Sequence, residues 1–232
     1  MRYLGGKQRI GRQLADVINT IGTVSGAETY CEPFCGMCGV GRAVTIPRRV
    51  FSDASEDLIL LLLALRDGWE PPTTLTRDEY KALRHSEPSA LRGFAGFGCS
   101  FGGKWFGGYA SDRQGTNYAL NGSRSGVKLG LDLRGSTITR HSYLDAPKAD
   151  ITYCDPPYAG TTSYGAVGPW DVDAFWEWVR HRGGLIFVSE YKGPDWAEVI
   201  WSKTVKCTIS KSAKSGSAHN DRVEKLFFVD NS

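Results

Sequence analysis

Apolar residues recur at helical spacing at Ile10, Leu14, Val17, Ile18 and Ile21, which predicts an amphipathic first helix after the turn Tyr3-Leu4-Gly5-Gly6-Lys7. The period then shortens. Thr29-Tyr30-Cys31 reads as a first strand and Arg49-Val50-Phe51-Ser52 as a second, ending at Asp53. Ser55-Glu56-Asp57 starts a strongly apolar helix over residues 58–65. Thr76-Arg77-Asp78-Glu79 has the form of a capping box, so a further helix is expected through Tyr80 and Leu83, stopping before Pro88. Thr137-Ile138-Thr139 is a short strand and Ile151-Thr152-Tyr153-Cys154 a buried one. Asp171 can cap a helix whose stripe is Val172, Phe175, Trp176 and Val179. Leu185-Ile186-Phe187-Val188-Ser189 is a continuous apolar run, as expected of a central strand covered on both faces. Residues 203–209 and 223–229 predict two terminal strands flanking a polar loop over 210–220. Strands alternating with helices predict an α/β protein built on a mostly parallel sheet, with the last two strands as an antiparallel hairpin.

Residues 93–109 fit neither period. Phe94, Phe97, Phe101, Trp105, Phe106 and Tyr109 lie among seven glycines, with Lys104 between them and Arg113, Arg124 and Lys128 downstream. This predicts an irregular, aromatic-lined loop. Aromatics interleaved with cations suit nucleic acid, through base stacking and phosphate contacts, and they equally suit a satellite core beneath a long loop. There is no internal repeat, so the expected organisation is one catalytic domain, residues 1–67 and 137–232, carrying an insertion over 68–136.

Composition narrows this only slightly. With 232 residues, 41% of them hydrophobic, the chain can bury a substantial core. A net charge of +3 permits a polyanionic partner without demanding one. No apolar run approaches the roughly 20 residues that span a bilayer and the N-terminus has no signal-peptide core, so a cytoplasmic location is expected. The six cysteines, Cys31, Cys35, Cys38, Cys99, Cys154 and Cys207, are expected to be thiols.

The candidate chemistry sits at strand ends. Glu32-Pro33-Phe34-Cys35-Gly36-Met37-Cys38-Gly39-Val40-Gly41 is a glycine-bearing loop after the first strand, where open α/β sheets bind ligands. Asp53, ending the second strand about twenty residues later, is placed to accept hydrogen bonds from ribose hydroxyls or to cap the following helix. Lys7 reads first as a solvated surface charge, although the Gly5-Gly6 turn before it lets a charged ligand approach closely. Asp155-Pro156-Pro157-Tyr158 follows the buried strand. A carboxylate and a proline carbonyl there can accept the two hydrogens of an exocyclic amine and re-aim its lone pair, and Tyr158 offers a stacking face to a base removed from its helix.

Taken in order, these parts resemble the Dam-like DNA adenine-N6 methyltransferases, which carry a D-P-P-Y motif and use S-adenosyl-L-methionine. The resemblance rests on Tyr3-Leu4-Gly5-Gly6-Lys7, Glu32-Pro33-Phe34-Cys35-Gly36 and Asp155-Pro156-Pro157-Tyr158. It implies a Rossmann-like methyltransferase fold. It further implies cofactor contacts from Tyr3, Lys7, Glu32, Phe34, Gly36, Asp53, Tyr143 and Asp155, with the cofactor leaving as S-adenosylhomocysteine and no metal taking part. The target adenine would be flipped out and held by Asp155, Pro156 and Tyr158, with Ser189 in the strand that closes the site. DNA is the implied partner, met by the inserted target-recognition region through Lys104, Trp105, Arg113, Arg124 and Lys128, and the protein is expected to be a monomer or weak dimer. Two positions depart from the family pattern. Cys38 stands where the loop usually has its second glycine, and Ser142 precedes Tyr143 where many relatives have an acidic residue, so contact with the cofactor's adenine amino group is expected to be weaker or to come from Asp145. Competing readings are a radical S-adenosylmethionine enzyme with an iron-sulfur cluster on Cys31, Cys35 and Cys38, an inactive DNA-binding module of the same fold, and cytosine N4 or RNA adenine as acceptor.

Overall fold

The computed structural model describes residues 1–157, 170–205 and 222–232. The chain divides into two compact units, Met1–Ala149 and Asp150–Ser232. Its strands form a mixed seven-stranded sheet in the order β3-β2-β1-β4-β5-β7-β6, where the numbers follow the chain. The sheet is mostly parallel and ends in antiparallel strands, as expected of a Rossmann-like methyltransferase fold.

In the first unit α1, Gly11–Ser25, buries Leu14 and Ile18 completely, and Gly26 ends it in the left-handed conformation. Strand β1, Thr29–Glu32, pairs in parallel with β2, Arg48–Asp53, which pairs in parallel with β3, Thr137–Arg140. Helix α2, Glu56–Arg66, buries Leu58, Leu61, Leu62 and Leu65. The capping box forms as read: Thr76 Oγ1 accepts from Glu79 N–H, and Glu79 reaches back to Thr76 N–H at 2.7 Å, opening α3, Arg77–Leu83. Helix α4, Ala90–Gly93, runs on into a π-helical turn, Phe94–Gly98.

One helix of this unit was absent from the sequence reading. Helix α5, Tyr118–Asp132, follows the aromatic segment. Its apolar signal is weak because its buried face is largely glycine. A Cβ on Gly126 would meet Leu65 and Pro71, and one on Gly130 would fall 2.1 Å from the Leu65 carbonyl oxygen. Small residues at every fourth position let α5 lie backbone-close to the C-terminal end of α2, a pattern that hydrophobic counting misses.

In the second unit β4, Ile151–Cys154, is buried at all four positions and pairs in parallel with β5, Gly184–Glu190. Helix α6, Val172–His181, is capped by Asp171, which accepts from Ala174 N–H at 2.9 Å, and buries Phe175, Trp176 and Val179. Strand β6, Glu198–Val205, and β7, Arg222–Asn231, form the antiparallel hairpin. Strand β6 begins before the expected residue 203 because Glu198, Val199 and Trp201 already pair with β7, with a shift of register at Ile200. Residues 206–221, and with them the expected polar loop, lie outside the described residues. No described helix is long and apolar enough to cross a membrane.

Candidate active site

The loop after β1 is closed from beneath by Glu32. Its buried carboxylate accepts hydrogen bonds from Tyr30 Oη and from Gly41 N–H, both at 3.0 Å, so it fixes the first and last turns of the loop to each other. Gly36 has φ +47 and donates its N–H to Asp53 Oδ2 at 3.2 Å; Cys35 N–H donates to Ser52 O at 3.0 Å. The loop is thus tied along the carboxyl end of β2. Cys38, which stands where a second glycine is usual, has φ 49 and is fully buried. A cysteine has taken the left-handed conformation a glycine would take, and the turn survives the departure at the cost of local strain.

Asp53 joins the entry of α2 to the glycine loop. Oδ1 accepts from Ser55 N–H at 3.0 Å at the entry to α2, while Oδ2 holds Gly36. Burial pushes the Asp53 carboxyl above the usual carboxylate range, against the lowering effect of the backbone N–H groups of Ser55, Gly36 and Ala54. A carboxylate has about four lone-pair positions, so acceptor capacity remains for a ligand hydroxyl.

The N-terminal turn lies against this loop. Gly11 can have no side chain, because a Cβ there would sit 2.0 Å from Gly39 O, and the Lys7 backbone packs on Gly39. Lys7 is buried, with Nζ 3.4 Å from Gly5 O, which corrects the expectation of a solvated surface charge. The turn draws it in: Ile10 N–H and Gly11 N–H both bond to its carbonyl, at 3.0 and 2.6 Å. Tyr3 covers Gly36, where an added Cβ would be 2.9 Å from the ring. The other side of Tyr3 meets Phe97 at a centroid distance of 5.2 Å.

Phe34 stacks on Tyr143, with centroids 5.2 Å apart and planes 26° from parallel. Ser142 caps the short turn Tyr143–Asp145 by accepting Leu144 N–H at 3.3 Å, and Asp145 is exposed. The structure therefore gathers Tyr3, Lys7, Glu32, Phe34, Gly36, Asp53 and Tyr143 around one loop of the first unit. In the second unit Asp155 is half-buried and Pro156 buried directly after β4. Beneath that turn, Tyr153 Oη and Ser189 Oγ share a buried 2.8 Å hydrogen bond across β4 and β5. Buried Glu190, at the end of β5, was passed over in the sequence. Tyr158 lies outside the described residues.

The aromatic segment divides between the two readings of it. Phe94, Phe97 and Phe106 are buried, and Trp105 is packed between Phe97 and Phe106 at 4.6 and 4.8 Å under the Arg92 guanidinium. These rings form a satellite core that braces Tyr3 and, through it, Gly36. Lys104, Arg113, Arg124 and Lys128 are exposed, as is Phe101.

All five described cysteines are buried thiols outside any disulfide. Burial raises the thiols of Cys35 and Cys38, which hydrogen-bond each other, and so disfavours the thiolates a cluster needs. Among the described residues no three His, Cys, Asp or Glu side chains are arranged to hold a metal ion. The open sheet with its antiparallel end is also not the βα barrel that the radical-enzyme reading requires.

The chain is similar in structure to a protein of Thermoplasma acidophilum, with 11% identity, a TM-score of 0.45 and coverage of 96% of this chain and 94% of that one. It is also similar to a putative RNA methyltransferase from Pyrococcus horikoshii, with 7% identity, TM-score 0.45 and coverage of 95% and 83%. A putative methylase from Haemophilus influenzae is similar at 10% identity, TM-score 0.39 and coverage of 93% and 87%. No curated protein matches the sequence. Residues 3–90, which hold the N-terminal turn, the glycine loop, Asp53 and the capped helix α3, match the family model of the D12 class N6 adenine-specific DNA methyltransferases.

Proposed function

We propose that the protein is a site-specific DNA methyltransferase that transfers a methyl group from S-adenosyl-L-methionine to the exocyclic N6 of a flipped-out adenine. The observation that carries this reading is the loop after β1, with left-handed backbone at Gly36 and Cys38 and a hydrogen bond from Gly36 to Asp53. The family match over residues 3–90 supports it. The residues fit the cofactor: Asp53 keeps acceptor capacity for ribose hydroxyls, Gly36 leaves a bare backbone under Tyr3, and the Phe34–Tyr143 pair offers an aromatic edge to an adenine ring.

When bound, S-adenosylmethionine supplies a methyl group already activated by its sulfonium. Asp155 and the Pro156 carbonyl accept the two hydrogens of the target amine and turn its lone pair away from the ring. Two consecutive prolines fix φ in that turn, so the acceptors are oriented before the base arrives. Methyl transfer leaves one proton to be released from the amine, and the Asp155 carboxylate is a base that can accept it. Tyr158 stacks on the flipped base in place of its lost neighbours. Ser189 holds β4 and β5 together below the reacting centre. Residues 1–67 and 137–232 act as the catalytic part and 68–136 as the target-recognition region, with Lys104, Arg124 and Lys128 on phosphates and Trp105 supporting the surface from within.

Sequencing of DNA from cells expressing the protein, with modified-base detection, tests the reading. N6-methyladenine at one recurring sequence is expected. N4-methylcytosine there would reassign the acceptor, and unmodified DNA together with methylated RNA would reassign the substrate.

A further inference from the structure

Residues 111–117, Ser-Asp-Arg-Gln-Gly-Thr-Asn, join the aromatic segment to α5 and are nearly all exposed. A polar surface loop of this kind ordinarily samples many conformations. Here one carboxylate removes that freedom. Asp112 Oδ1 accepts the N–H groups of Gln114 at 3.1 Å and Thr116 at 3.0 Å, and Oδ2 accepts the hydroxyls of Thr116 at 2.5 Å and Tyr118 at 3.0 Å. The Tyr118 ring is held in turn by Arg2, whose guanidinium carbon is 4.7 Å from its centroid. Asn117 anchors the far end, donating to Thr73 O at 3.1 Å and accepting from Leu120 N–H at 2.9 Å. These bonds lower the Asp112 carboxyl to about 2, so the brace is ionised at any working pH.

The braced loop carries Arg113 and Gln114 at consecutive positions. Both are exposed, and among the described residues neither side chain has a hydrogen-bond or ion-pair partner. A phosphate contact needs charge and tolerates a mobile stem, as on the outer face of α5 at Arg124 and Lys128. A base edge requires donors carried on a backbone of fixed path, which the Asp112 brace supplies at Arg113 and Gln114. Arg and Gln are the side chains whose planar groups pair bidentately with guanine O6/N7 and adenine N6/N7 in the major groove. The fixed negative charge of Asp112 next to Arg113 disfavours a phosphate there and leaves a base edge as the better partner.

We propose that residues 111–117 form a base-reading element, in which Arg113 and Gln114 are specificity-determining contacts to a guanine and an adenine in the major groove and Asp112 is the positioning residue. This inference rests on the DNA methyltransferase reading above.

The test measures methylation of a duplex library by the purified full-length protein, read as kcat/KM at the preferred sequence and at each single-base variant of it. Arg113→Ala should lower kcat/KM at the preferred sequence about 10- to 100-fold and abolish the preference for one guanine, with melting temperature unchanged. Gln114→Ala should erase the preference for one adenine, and Gln114→Glu should turn that preference toward cytosine. Asp112→Ala should blur both positions, and Asp112→Asn should restore part of the discrimination, which a merely structural loss would not do. The proposal is overturned if Arg113→Ala and Gln114→Ala keep the wild-type base preferences within twofold, or if Arg113→Ala weakens all sequences equally and flattens the salt dependence. Absence of DNA methylation by the wild-type protein would instead overturn the enzyme reading on which the inference stands.

Discussion

Two glycine-rich segments of the first unit, residues 32–41 and 93–109, use their glycines in opposite ways. In the first, Gly36 takes a left-handed φ and turns its backbone N–H toward the Asp53 carboxylate, so the main chain is presented to that side chain. In the second, Gly96 has no side chain because the Trp105 ring fills the space, 2.2 Å from where a Cβ would be, so the glycine hides an aromatic. One loop turns main chain toward a carboxylate and the other packs around a ring. They join at Tyr3, which touches Gly36 on one side and Phe97 on the other, so the packed segment supports the presenting one.

Phe94→Ala breaks the comparison on its packed side. Phe94 is fully buried beside Gly98 and Gly122, and its truncation should cost about 3–5 kcal/mol of stability. Thermal melting should show this as a fall of roughly 10 °C. Unchanged melting with lost DNA affinity would return the segment to a stacking role.

Gly36→Ala tests the presenting side. The added methyl enters the Tyr3 ring at a left-handed φ, and strain of about 1–3 kcal/mol should weaken S-adenosylhomocysteine binding roughly 10- to 100-fold by calorimetry. Affinity within twofold of wild type would remove Gly36 from the cofactor loop.

Acidification sharpens the same point at Asp53. Its raised pKa means the native state binds more protons than the unfolded state between the ordinary and the raised value, so this group's contribution to stability falls as pH rises through that window. Cofactor affinity should move the other way, weakening as pH falls and the carboxylate protonates. Asp53→Asn should remove the acid limb from a plot of affinity against pH; a limb that persists would assign it to another group.

The smallest effects are expected at the surface of the insertion. Lys104→Ala and Arg124→Ala should each weaken DNA binding evenly across sequences and flatten the salt slope by about one unit. Unchanged slopes for both would leave this face without a phosphate role.

The difference between the two segments also decides what the sequence reveals. The capping box at Thr76, the cap at Asp171 and the apolar run of β5 were legible because each is dictated by residues within one turn or one strand. The glycine loop and Asp53 were legible for the same reason. What was hidden depends on partners far along the chain. Helix α5 is stabilised by its approach to Leu65, and the burial of Lys7 by Gly39 and the turn around it. Trp105 looked like a stacking surface because no local pattern announces Phe97, Phe106 and Arg92 around it. The conformation of Cys38 was likewise invisible, since a cysteine carries no signal for positive φ.

The central claim is that Asp155 orients the target amine for attack, and single-turnover methylation by purified Asp155→Ala protein tests it most directly when DNA affinity is measured on the same preparation. The rate of methyl transfer should fall by about 10²–10⁴-fold while DNA affinity stays within several-fold, because the carboxylate acts chiefly where the amine meets the methyl group. Near-normal transfer by the variant would contradict the account.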